Sequence, residues 1–162
     1  MVEGALEFDG QDDMLAADLI LDPADGPLSV LAWIKGGARG QVIVSQADAR
    51  VGRNDRPGYS WLATGPVLGV LTTDLASPEP IPPAPGVGIT DGQWHRVGLV
   101  LDDSSETSVL YVDDVEVAIH LQPILPKTYG NLRTGAGRSL EPTTFFTGLI
   151  DDACIYNRTV KP

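Results

Sequence analysis

No stretch of this chain repeats its apolar residues every three or four positions, as an amphipathic helix must. What recurs is a period of two, in short runs punctuated by glycine and proline. Side chains alternate between the faces of an extended strand, so each run reads as a strand with one or both faces covered. Leu28, Ser29, Val30, Leu31, Ala32, Trp33 and Ile34, bounded by Pro27 and by Gly36 and Gly37, form the most apolar run, expected to be a central strand. Runs at 41–45, 59–63, 67–71, 93–101 and 132–137 read the same way, and the chain is expected to hold about ten to twelve strands and to be all-β.

The sharpest hairpin signal is Leu110, Tyr111, Val112, Asp113, Asp114, Val115, Glu116 and Val117. A two-residue turn at Asp113 and Asp114 would set Val112 opposite Val115 and Leu110 opposite Val117 on an inward face, leaving Tyr111 and Glu116 to face out together. Both turn residues would need positive φ, which Asp tolerates at a cost of about 1 kcal/mol. Between Pro78 and Pro85 lie five of the thirteen prolines. Their missing N–H groups rule out a ladder strand there and imply an extended surface loop.

The closing stretch 145–158 alternates as well, placing Leu149, Asp151, Ala153 and Ile155 on one face and Ile150, Asp152, Cys154 and Tyr156 on the other. Asp151 is the acid in an otherwise apolar row, and an inward carboxylate needs a hydrogen-bond partner or a cation. The first strand, Ala5, Leu6, Glu7, Phe8, Asp9 and Gly10, with Asp12 and Asp13 just after it, offers further oxygen ligands.

These motifs resemble, in order, the laminin-G-like, concanavalin A-like jelly-roll family. The opening residues 5–13, the middle Asp91, Gly92, Gln93, Trp94, His95, Arg96 and Val97, the hairpin, and the close from Gly148 to Arg158 carry the resemblance. It implies a single domain over residues 1–162, a two-sheet antiparallel jelly-roll β-sandwich, a structural calcium ion, and a role in binding glycans or proteins in a larger extracellular protein. If the first and last strands are neighbours, as in the family, Asp9 and Asp151 are the expected calcium ligands, since calcium takes six to eight hard oxygens. The alternative is that Asp9 opens a turn and Asp151 caps backbone N–H groups. Family members commonly carry arginine at the position of Cys154.

At 162 residues the chain is long enough to bury about 70% of the surface its unfolded form exposes. A net charge of −11 repels nucleic-acid backbones and anionic membranes, so neither is expected as a partner. No apolar run reaches the roughly 20 residues of a membrane span. The single cysteine excludes an internal disulfide, and with two histidines far apart in sequence no zinc set assembles.

For sugar binding, an aromatic ring stacks on a pyranose while polar groups take its hydroxyls. Tyr59 and Trp61 share a strand face, with Arg53 in the loop before them, and form the candidate carbohydrate platform; the competing reading puts Trp61 and Trp33 in the core. The nearest approach to a glycosidase carboxylate pattern, Glu7, Asp9 and Asp12, lacks the final Glu, and no nucleophile elbow or phosphate-binding loop occurs. The expectation is a non-catalytic binding module with a structural calcium ion. A structural spacer domain and a polysaccharide-active enzyme are the alternatives.

Overall fold

The computed structural model describes residues 4–18, 22–51, 54–56, 58–65, 71–74, 88–102, 105–121 and 125–162. The stretch 78–85 and Arg53 lie outside them. Thirteen strands are described: β1 (Leu6–Asp9), β2 (Leu15–Ala17), β3 (Leu28–Gly36), β4 (Val42–Gln46), β5 (Ala49–Val51), β6 (Asn54–Arg56), β7 (Tyr59–Thr64), β8 (Leu71–Asp74), β9 (Trp94–Asp102), β10 (Thr107–Val112), β11 (Val115–Leu121), β12 (Leu132–Thr134) and β13 (Thr147–Tyr156). The helical turns among the described residues are two short 3₁₀ turns, Pro23–Asp25 and Pro142–Thr144, and no described helix is long and apolar enough to cross a membrane.

Two antiparallel sheets form a jelly-roll sandwich, one of six strands in the order β1-β13-β3-β9-β10-β11 and one of five in the order β2-β12-β4-β7-β8. A separate pair, β5-β6, completes the set. The apolar run at 28–34 is indeed an interior strand: β3 lies between β13 and β9. Its Leu28, Val30, Ala32 and Ile34 join Val97, Leu99 and Leu101 of β9 in the core, facing Ile43, Val44, Tyr59, Trp61 and Leu62 of the other sheet. Burying a side chain of this kind is worth about 1.5 to 3 kcal/mol, which is why alternation along each strand fixes which sheet face turns inward.

The hairpin forms as the turn chemistry requires. Asp113 and Asp114 take φ of 51° and 67°, and Val112 pairs with Val115. A bulge then shifts the register, so that Leu110 pairs with Ala118 and not with Val117. Tyr111 and Glu116 are opposite each other, yet Tyr111 is only 4% exposed while Glu116 is exposed. The expected outward tyrosine is therefore a covered one.

The closing strand carries the second correction. Asp151 pairs with Trp33 and Cys154 with Leu31, so Asp152 and Ala153 together oppose one residue of β3 and Asp152 adopts φ of 46°. This bulge resets the alternation. Ile150 and Ile155 both pack toward the core, and Asp151 falls on the outer face beside Trp33.

Candidate functional site

The first and last strands are neighbours as expected, but they do not bring Asp9 and Asp151 together. Asp9 pairs with Thr147, four residues short of Asp151, a separation of about 13 Å along the strand. Each carboxylate is held locally: Asp9 Oδ1 accepts from Gln11 N at 2.8 Å, and Asp151 Oδ1 accepts from Asp152 N at 2.9 Å. One ion cannot use both.

A different oxygen cluster forms at the turn after β1. Asp9, Asp12 and Asp13 are exposed and each offers a carboxylate oxygen, all within 4.8 Å of one another. Asp13 Oδ2 accepts from Asp9 N at 3.0 Å, which folds the turn back on its strand. Each carboxylate oxygen has more than one acceptor direction, so these hydrogen bonds leave room for a hard cation and the donor set suits calcium.

The candidate sugar platform is overturned. Tyr59 and Trp61 are 0% and 1% exposed, with ring centroids 4.9 Å apart. They do share a face of β7, but that face is the core face. Tyr59 Oη donates to Pro126 O at 2.7 Å, and burial, helped by the charge of Asp22, pushes its pKa up to about 12. A hydroxyl so committed cannot serve a ligand, and a ring so enclosed cannot stack on one.

Aromatic surface lies instead on the outer face of the six-stranded sheet. Trp33, expected as a core residue, and Trp94 are both half-buried there. Parity carried this signal: Trp33 alternates with Lys35, an exposed charge, whereas Ala32 and Ile34 alternate with the core.

Beside Trp94, His95 bridges two carboxylates. Its Nδ1 lies 2.8 Å from Asp113 Oδ2 and its Nε2 lies 3.0 Å from Asp91 Oδ1. Asp113 also accepts from Arg96 N at 3.0 Å, so the imidazole ties the 91–93 turn to the hairpin. Burial pulls the His95 pKa down, but the hydrogen bonds and charges of Asp113 and Asp91 outweigh it and hold it above 6.5. A folded-state pKa raised in this way adds stability that is fully present below the unfolded value and is lost as pH rises through the folded value. The melting-temperature gap between the protein and His95→Gln is expected to be wider near pH 6 than near pH 8.5. An equal gap at both pH values would mean that the bridge carries no proton.

On the five-stranded sheet Arg133 and Ser45 are partners in register. Arg133 donates to Gly137 O at 3.2 Å and Arg138 O at 2.7 Å, and Arg138 donates to Gly58 O at 3.2 Å. Asp48 accepts from Gly58 N and Ser139 Oγ; burial raises its pKa, but these bonds and the charges of Arg138 and Arg133 lower it further, below the usual carboxylate value. These groups brace the loops that frame the sheet. Cys154 is a half-buried free thiol, as expected.

Residues 8–162 match a model of the concanavalin A-like lectin/glucanases superfamily. No curated protein matches the sequence. Among solved structures, the carbohydrate-binding module CBM40 of the Ruminococcus gnavus IT-sialidase, bound to α2,3 sialyllactose, is similar at a TM-score of 0.64 and 16% identity, covering 98% of this chain and 92% of that one. Domain 4 of AbnA, an extracellular arabinanase from Geobacillus stearothermophilus solved with arabinotriose, is similar at 0.64 and 16%, covering 96% and 71%. The NanB sialidase of Streptococcus pneumoniae is similar at 0.63 and 16% over 97% of this chain, which spans 26% of that enzyme.

Proposed function

Because the chain belongs to the concanavalin A-like lectin/glucanases superfamily, we propose that it is a non-catalytic glycan-binding module of a larger extracellular protein. The observation that carries this reading is the end-to-end likeness of its sandwich to a module solved with a bound oligosaccharide, at 98% and 92% coverage. A glycosidase of the usual kind would need a carboxyl with a raised pKa as general acid at neutral pH. Glu7 and Asp9, the acids nearest to a glycosidase pattern, stand exposed on the edge strand β1, where water surrounds them.

Calcium belongs to the same reading, held by Asp9, Asp12 and Asp13. Its work there is structural: it would screen three like charges and fix the turn that follows β1. Thermal unfolding with excess calcium against excess chelator tests it. A ligand at 100 times its dissociation constant stabilises the native state by about 2.7 kcal/mol, a shift of several degrees in a chain of this size. The shift is expected to vanish in Asp12→Asn and to persist in Asp151→Asn. Identical melts with calcium and chelator would remove the ion from the account.

A further inference from the structure

Among the described residues, the outer face of the six-stranded sheet is covered at one end and open at the other. Residues 157–162 cross the covered end: Ser29 Oγ donates to Arg158 O and accepts from Val160 N, both at 2.8 Å. Gly98 leaves room for this segment, since a Cβ there would lie 3.3 Å from Pro162 Cγ. In the same rows, Leu31 and Tyr111 are 5% and 4% exposed.

The open end has a different character. Lys35 pairs with Trp94, Trp33 with Arg96, and Asp151 with Trp33, so these five side chains share the outer face. Lys35 is exposed and the other four are half-buried. The register makes the two tryptophans diagonal neighbours on adjacent strands, with Cα atoms about 7 to 8 Å apart. Arg96 Nη1 donates to Asp114 Oδ1 at 3.1 Å, which sets the guanidinium at the rim with other N–H groups to spare.

We propose that this open end binds pyranose residues of a neutral polysaccharide chain. A pyranose has an apolar C–H face and a rim of hydroxyls that both donate and accept. The indoles of Trp33 and Trp94 match the first with their electron-rich faces, while the Asp151 carboxylate accepts from the rim and Lys35 and Arg96 donate to it. Cations and carboxylates balance locally, and a molecular charge of −11 opposes an anionic chain, so the match is to a neutral glycan. The site rests on the glycan-binding reading above and gives it a place and a ligand class.

The test titrates neutral gluco-, galacto-, manno- and xylo-oligosaccharides, with sialyllactose as the charged comparator, into the protein and into Trp33→Ala and Trp94→Ala. Each variant is expected to weaken a neutral ligand about tenfold, the scale of one lost ring contact, while Tyr129→Ala, a 47% exposed ring outside this face, binds as the parent does. Acrylamide quenching in the unmodified protein gives a second reading that needs no folded variant. Trp61 is already enclosed, so shielding by bound oligosaccharide reports on Trp33 and Trp94. Neutral binding that persists in both variants with quenching unchanged overturns the site and leaves the module reading standing. Binding of sialyllactose alone overturns the ligand class. No binding of any kind overturns the module reading and the site with it, and self-association lost in both variants would then assign the face to a second copy.

Discussion

Trp61→Ala is expected to cost about 3 to 5 kcal/mol of stability, the range for emptying a large aromatic from a core. Trp61 is 1% exposed and packs with Tyr59, and the core that encloses it draws on both sheets, so water cannot readily relax into the gap. At about 2 to 4 °C per kcal/mol for a chain of this length, the melt should fall by roughly 6 to 20 °C. Thermal unfolding followed by near-ultraviolet circular dichroism reads it. A variant that melts like the parent but loses a glycan ligand would return Trp61 to the surface and revive the platform with Tyr59.

The second large effect is expected from Gly130→Ala, which should destabilise by about 3 kcal/mol, at the upper end for overpacking. Two glycines press on one peptide unit from different loops. A Cβ at Gly130 would meet the Ala47 carbonyl, lying 2.6 Å from Ala47 C and 3.1 Å from its Cα, and a Cβ at Gly58 would lie 2.6 Å from Ala47 C. The obstacle is backbone, which cannot swing aside as a side chain can. Moreover, Gln46 Nε2 donates to Gly130 O at 3.0 Å and Ala47 N donates to Asn131 O at 2.9 Å, so a displaced loop would break those bonds as well. Urea unfolding measures the loss. An unchanged midpoint would mean that Gly130 does not meet Ala47 as described.

Much of the fold was legible because its signals are local. Pro27 and the Gly36–Gly37 pair bounded β3, and the two aspartates at 113 and 114 turned the hairpin as read, since positive φ at both is a property of the turn alone. The family resemblance also implied that β1 lies beside β13, as it does. What escaped the sequence was register. The extra residue in β13 moved Asp151 off the core face, and that in β11 replaced Val117 by Ala118 opposite Leu110; neither has a glycine to mark it. The site suffered most from this. Whether an aromatic points inward depends on which face of its sheet meets the other sheet, a long-range fact, so the sequence left two readings. The platform reading failed for Tyr59 and Trp61, while the core reading held for Trp61 and failed for Trp33, which is half-buried on the outer face. Asp9 and Asp151 failed as a pair for the same reason: adjacent strands do not imply adjacent residues.

Retention on a panel of immobilised neutral and charged polysaccharides, with the eluate assayed for released reducing ends, tests the glycan-binding account most directly. The account predicts that the protein is held by at least one neutral polysaccharide and releases no reducing ends from it. Release of reducing ends would make the chain an enzyme, and failure to be retained by any member of the panel would leave a structural spacer domain in place of a binding module.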